Sequence, residues 1–302
     1  MQLSLGVPNF GGWAGADPRS LLDLARAADD AGVDRLVVSD HVVLGSNLEA
    51  YRWGRFPTAP DGPWLEPLTC LTAFAAVTNR ARLSTGILIA ALRRAPLLAK
   101  TVATLDVISG GRVDLGVGVG WQKEEYDAVG LEFSARGRLL EDTIGACRRL
   151  WTSMPATYSS RSVTFDDVYC SPQPVQDPLP VWFSGTLNDR NLRRVTSLGN
   201  GWIPIMGASL DDIRDGARLL RAAVGRAVDV QAPLTPVRRD DKSLDLEATM
   251  QQLPLLADAG VTNVYLNAAT FSSTPAEAVE LVPDVVRAFR ASREASRGRP
   301  QA

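Results

Sequence analysis

The sequence holds a single histidine, His41, and only three cysteines, Cys70, Cys147 and Cys170, far apart and without a CxxC pair. One imidazole and three scattered thiols do not make the His and Cys sets that bind zinc, iron or copper, so no metal site is expected. An odd number of thiols gives no disulfide framework, and they read as buried thiols of a reducing compartment. An excess of one charge is also missing, since 32 basic and 34 acidic side chains leave a formal charge of -2. That balance lacks the electrostatic footprint of a nucleic-acid or anionic-membrane binder and leaves a small molecule as the expected partner. No apolar run approaches the ~18 residues needed to cross a bilayer. Met1-Gln2-Leu3-Ser4-Leu5-Gly6 enters a strand pattern with no basic region or apolar leader, and a soluble cytoplasmic chain is expected. No GxGxxG follows that first strand, which weakens a dinucleotide-binding fold.

What is present is alternation. Eight short apolar runs read as strands: Leu3 to Val7, Arg35 to Ser39, Arg82 to Leu88, Val113 to Val119, Pro180 to Ser184, Gly201 to Ile205, Val230 to Pro236 and Val261 to Asn267. Most are apolar on both faces, as in a parallel sheet covered on both sides. Helix signals lie between them: Asp17-Pro18 as a start closed by Gly32, Ser209 with Asp211 and Asp212 as another start, and Thr274 three residues before Glu277 as a capping box. Eight such units in 302 residues fit a closed α/β (β/α)8 barrel better than an open sheet. The barrel is assigned to residues 1–291 as one domain. Residues 292–302, rich in Arg, Ser, Gly and Pro, read as a flexible tail. Two long connections, Val42 to Glu66 and Met154 to Leu179, break the rhythm; the first follows the second strand, on the side where barrels build their sites.

The candidate chemistry sits at those carboxyl ends. Asp40 and His41 end the second strand; His41 can exchange a proton near neutral pH, and Asp40 can orient it or bind a cofactor edge. Thr85-Gly86-Ile87 ends the third strand with a glycine that serves either close approach to a flat ring or a plain bulge. Gly116-Val117-Gly118-Val119-Gly120-Trp121 leaves one face of the fourth strand bare, for a cofactor or for tight packing. Ser184-Gly185-Thr186-Leu187-Asn188 opens a helix after the fifth strand, as a phosphate turn or a simple cap, with Arg190, Arg193 and Arg194 following as a positive edge or a solvated face. Trp13, Tyr51, Trp53, Phe56, Trp64 and Trp121 are expected to ring an aromatic pocket, whereas Trp182 and Trp202 are expected in the core. Glu124, with Glu125 beside it, is the candidate catalytic carboxylate, although a Glu pair opening a helix also complements its dipole.

Taken in order, Ser39-Asp40-His41, Leu83 to Ile87, Arg94 to Lys100, Leu105 to Arg112, Gly116 to Trp121 and Gly199 to Trp202 resemble the bacterial luciferase-like monooxygenase superfamily, in particular its actinobacterial F420-dependent oxidoreductase branch. The resemblance covers nearly the whole chain. It implies a cis peptide at Gly86-Ile87 against the central ring of a deazaflavin or flavin. It also implies Asp40 and His41 facing that ring, Val119 and Gly120 along it, and Ser184, Gly185, Leu187 and Asn188 around its phosphate. The implied activity is hydride transfer between coenzyme F420 and a small apolar or aromatic substrate; the alternative is a two-component monooxygenase using reduced FMN and O2. A reductase supplying reduced cofactor and a homodimer are the further partners expected. The resemblance departs at Trp121, where sugar-phosphate-oxidising relatives carry a glutamate, so sugar oxidation is disfavoured.

Overall fold

In the computed structural model, which describes residues 1–15, 17–225 and 228–297, all eight expected strands form. They are β1 (Gln2–Gly6), β2 (Arg35–Val38), β3 (Arg82–Thr85), β4 (Val113–Val117), β5 (Val181–Ser184), β6 (Gly201–Ile203), β7 (Asp229–Pro233) and β8 (Asn263–Asn267). Every neighbouring pair is parallel and β8 closes on β1, giving a barrel in chain order. β2 and β4 are buried at every position; this follows from lying between outer helices and a filled interior. The lower interior is plugged by charge: Asp114 accepts from Arg35 Nε and from Arg82 Nε at 2.7 Å each, and the Arg35 guanidinium lies 4.6 Å from the Trp182 ring centre. Trp182 and Trp202 are both core residues.

The helix boundaries mostly follow their sequence signals. Ser209 and Asp212 form a reciprocal capping box for the helix Leu210–Val224, and Thr274 accepts from the Glu277 N–H at the start of Pro275–Arg297. Gly32, at φ 91°, closes the helix Ser20–Ala31. That helix starts two residues beyond the expected Pro18, because Asp17 accepts the Arg19 N–H in a separate turn. The last helix runs to Arg297, six residues past the boundary expected at 291, and 298–302 lie outside the described residues. The connection Met154 to Leu179 contains an antiparallel hairpin, Ala156–Ser159 with Thr164–Val168. Val42 to Glu66 holds only a short turn of helix, Leu48–Ala50, and a single bridge from Trp64 to Phe10. No helix among the described residues is long and apolar enough to cross a membrane.

Candidate active site

The carboxyl end of β2 sends its two polar residues in different directions. Asp40 is buried, and its carboxylate accepts Nη1 and Nη2 of Arg93 at 2.7 and 2.9 Å and the Ile89 N–H at 2.9 Å. Burial works against the Arg93 charge but is outweighed by Asp40 and Glu66, so the guanidinium pKa is raised. Asp40 therefore ties β2 to the segment after β3. Asp40, expected to face a cofactor ring, has both oxygens engaged in these contacts and is not among the residues lining the cavity described below.

His41 instead places Nδ1 3.0 Å from Glu125 Oε2, while Glu125 Oε1 accepts the Val42 N–H at 2.9 Å. The Glu125 side chain is fully buried. Glu124, the expected carboxylate, lies beside Gly45, and it is Glu125 that pairs with His41. On the helix Lys123–Ala128 successive side chains diverge by about 100°, so only one of the pair can face the histidine. Gln122 fixes the loop beside them, accepting the Gly45 N–H and donating to its carbonyl. Around the imidazole stand Trp64, Phe56 and Trp121, edge-on or nearly so, at 4.6, 5.4 and 6.0 Å between ring centres.

The glycines of β4 are explained by what lies beside them. The Gly86-Ile87 peptide is cis, and Thr85 Oγ1 and the Leu88 N–H both donate to the Gly116 carbonyl, at 2.6 and 2.8 Å. A Cβ on Gly116 would overlap the Thr85 carbonyl oxygen, and one on Gly118 would lie 2.8 Å from Ile87 Cδ1. Gly116 and Gly118 thus make room for the bulge after β3, while Gly120 is needed for its φ of 68°. Thr85 supports the bulge from below.

Above it opens a cavity of about 340 Å³, near the lower end of the ~300–1,000 Å³ range of ligand sites. It is lined by Gly86, Ile87, Gly118 to Trp121, Ser184, Gly185, Ile203 to Met206, Gln231 to Pro233 and Tyr265, with Tyr51 and Trp53 from the long loop. No charged side chain is among them. The Tyr51 hydroxyl donates to Met206 Sδ at 3.4 Å, so the loop after β2 reaches across to the loop after β6. Burial pushes the Tyr265 phenol up to about 12. Trp121 Nε1 is buried without a hydrogen-bond partner among the described residues.

Of the residues expected at the site, Gly86, Ile87, Val119, Gly120, Trp121, Ser184, Gly185, Tyr51 and Trp53 meet around this cavity. The others do not line it. Trp13 packs against the core and Trp64 stacks on Phe10 at 4.3 Å. Leu187 also packs on the core, and the Asn188 side chain is spent capping the helix Asp189–Leu198 through the Asn191 N–H. The expected basic edge is reduced as well, because Arg190 and Arg194 both pair with Glu141, at 2.7 and 2.9 Å. Sequence reasoning missed Arg93, Gln231 and Tyr265. A signal existed for the last two: polar residues at inward positions of apolar strands, as in Asn263-Val264-Tyr265-Leu266-Asn267.

These residues fit a flavin-type group. A bare glycine cradle and the Ile87 bulge suit a flat ring, the orphan Trp121 N–H is an available donor, and the Ser184-Gly185 turn suits a phosphate. Residues 3–280 match the luciferase-like monooxygenase family, and the chain belongs to it. Its members are flavin- or F420-dependent oxidoreductases and monooxygenases. The chain is 31% identical over 265 residues to an uncharacterized protein of Mycobacterium tuberculosis, covering 84% of this chain and 89% of that one. It is 31% identical over 252 residues to an F420-dependent glucose-6-phosphate dehydrogenase of Segniliparus rotundus, covering 80% and 68%. An FMNH2-dependent dimethylsulfone monooxygenase of Pseudomonas putida matches 56% of this chain and 48% of its own length at 31% identity. In fold, the chain resembles a crystal structure of a Streptomyces bottropensis monooxygenase with a TM-score of 0.78 at 17% identity, covering 99% and 100% of the two chains.

Proposed function

We propose that the chain is an F420-dependent oxidoreductase that transfers a hydride between the deazaflavin and a small apolar or aromatic organic substrate. The observation that carries this reading is the uncharged cavity, walled by Ile87, Ile203, Ile205, Trp53 and Trp121, directly above the Gly86-Ile87 bulge. With the Ser184-Gly185 turn taken by the cofactor phosphate, no cationic side chain lines the cavity to meet a second anion, so the sugar phosphate named for the Segniliparus relative is not carried over. When bound, the deazaflavin supplies the carbon that gives or takes the hydride. Ile87 seats the ring and the Ser184-Gly185 turn receives its phosphate. Glu125 holds Nδ1 of His41, which leaves Nε2 as the nitrogen that exchanges a proton. The Tyr51 loop excludes water from the mouth. A separate reductase or dehydrogenase supplies or consumes the reduced cofactor.

Two observations support F420 over FMN. The F420-dependent relative matches far more of the chain than the FMNH2-dependent one, and a groove lined by Arg190, Arg193, Arg194 and Glu141 carries a net positive charge for an anionic tail. Parallel binding titrations test the reading. F420 is expected to bind at least tenfold more tightly than FMN, about 1.4 kcal/mol. Equal or tighter FMN binding, with oxygen consumption when reduced FMN and substrate are both present, would replace it with the monooxygenase reading.

A further inference from the structure

Two polar side chains break the apolar wall, and both enter from the β7–β8 side. Gln231 is 7% exposed and lines the cavity, and its amide makes no hydrogen bond among the described residues. Tyr265 also lines the cavity; its hydroxyl accepts from Asn267 Nδ2 at 3.2 Å and has no acceptor of its own among the described residues. Its ring lies across the barrel because Gly6 has no side chain, a Cβ there overlapping the phenol. In the β7–β8 register Gln231 faces Asn263, two residues below Tyr265. One strand spacing and two residue rises separate their Cα atoms by about 8 Å, within side-chain reach of one bound group. The Gln231 amide and the Tyr265 hydroxyl donor thus have no hydrogen-bond partner among the described residues and face the cavity, free to bond a group placed there.

We infer that Gln231 and Tyr265 are specificity-determining residues that together hold one neutral oxygen, a ketone carbonyl or a hydroxyl, on an otherwise apolar substrate. A carbonyl oxygen accepts from the Gln231 amide and the Tyr265 hydroxyl. A substrate hydroxyl accepts from Tyr265 and donates to Gln231 Oε1. The same pair therefore serves either a ketone or the corresponding alcohol. A carboxylate held by Gln231 and Tyr265, away from the Ser184-Gly185 turn, meets no cationic side chain and is disfavoured. The inference rests on the proposed reading of this cavity as the substrate site.

Trp53 and Trp121 line the cavity, so binding is read as tryptophan fluorescence quenching. The full chain is titrated alone and when saturated with F420 or FMN. The probes are cyclohexanone, cyclohexanol, cyclohexanecarboxylate and methylenecyclohexane, the last matching the ketone in shape without its oxygen. Ketone and alcohol are expected to bind at least about tenfold more tightly than methylenecyclohexane, from two hydrogen bonds of about threefold to tenfold each. Gln231→Leu and Tyr265→Phe should each shrink that preference and the double variant abolish it, with melting temperature and cofactor affinity unchanged. No oxygen preference in the wild type, an equal preference in the double variant, a carboxylate that binds best, or no quenching by any probe would each overturn the inference. The cofactor titration reads separately: failed F420 binding with a persistent oxygen preference removes the proposed function alone, and the reverse pattern removes this inference alone.

Discussion

Truncating Asp40 to alanine removes the acceptor of two N–H donors of the Arg93 guanidinium and of the Ile89 N–H in a buried place. Removing one partner of a buried ion pair costs ~3–5 kcal/mol. Glu66 still accepts from Arg93 Nη2 at 2.8 Å, which places the charge penalty near the lower figure, about 3 kcal/mol. The unmet Ile89 amide adds ~1 kcal/mol. At ~2–4 °C per kcal/mol for a large domain, a total of about 4 kcal/mol lowers the melting temperature by roughly 8–16 °C. Adding Arg93→Met removes the stranded charge and should recover most of that loss, since apolar replacement of a buried pair is often nearly neutral. Thermal unfolding followed by circular dichroism, with cofactor titration on the same samples, tests both steps. If the double variant is as unstable as Asp40→Ala, the ion pair is not what holds the segment after β3. If it regains stability but not cofactor affinity, Asp40 touches the cofactor directly and the positioning role is wrong.

Three other outcomes follow from the same geometry. Glu125→Gln should lower turnover by ~10²–10³, in the range of a positioned acid-base group, while Glu124→Gln stays within about twofold; equal losses in steady-state assays would refute the His41–Glu125 pairing. Gly116→Ala should lower the melting temperature more than Gly118→Ala, because the first meets the Thr85 backbone and the second only the Ile87 side chain; the opposite order would sink the packing account. Asp29→Ala should cost about 2–4 kcal/mol in urea unfolding, since the carboxylate accepts the N–H groups of Asn79, Arg80 and Ala81. Burial pushes the Asp29 carboxyl up, but those N–H groups and Arg80 outweigh it and hold the pKa below its ordinary 3.8. The carboxylate's contribution is therefore complete above pH ~4 and lost as pH falls through the lowered value, so the gap between wild type and variant should shrink in acid. A gap that widened there would contradict the assignment.

The barrel is legible in the sequence because each strand buries both faces and so leaves a short apolar run between helix caps. Its order needs no long-range information, since a right-handed parallel crossover sets each strand beside the one before it. Strand limits are less legible at the carboxyl ends. Leu88 and Val119 are apolar enough to extend β3 and β4, yet the strands end at Thr85 and Val117; the Gly86-Ile87 bulge interrupts the ladder, which resumes as a single bridge from Leu88 to Val117. Nothing in local composition distinguishes residues that continue a strand from those that leave it to form a cavity wall.

The site is legible as a place more than as a set of contacts. Arg93 lies 53 residues from Asp40 and Glu125 lies 84 from His41, so neither pairing has a local signature. Topology still narrows the search. β2 stands beside β3, and β3 beside β4, so a polar side chain ending β2 finds its partner in the segments that follow those two strands. Those segments hold few charged residues: Arg93 and Arg94 after β3, and Lys123, Glu124 and Glu125 after β4. Asp40 then selects an arginine and His41 a carboxylate by charge alone. What remains undecided is which member of each adjacent pair turns inward, and that depends on local phase: Arg93 ends a short turn beside Asp40, whereas Arg94 already caps the helix Ala95–Ser109. The same one-residue ambiguity separates Glu124 from Glu125, and it is resolved only when the helix Lys123–Ala128 is docked, with Gly45 against one glutamate and His41 against the other.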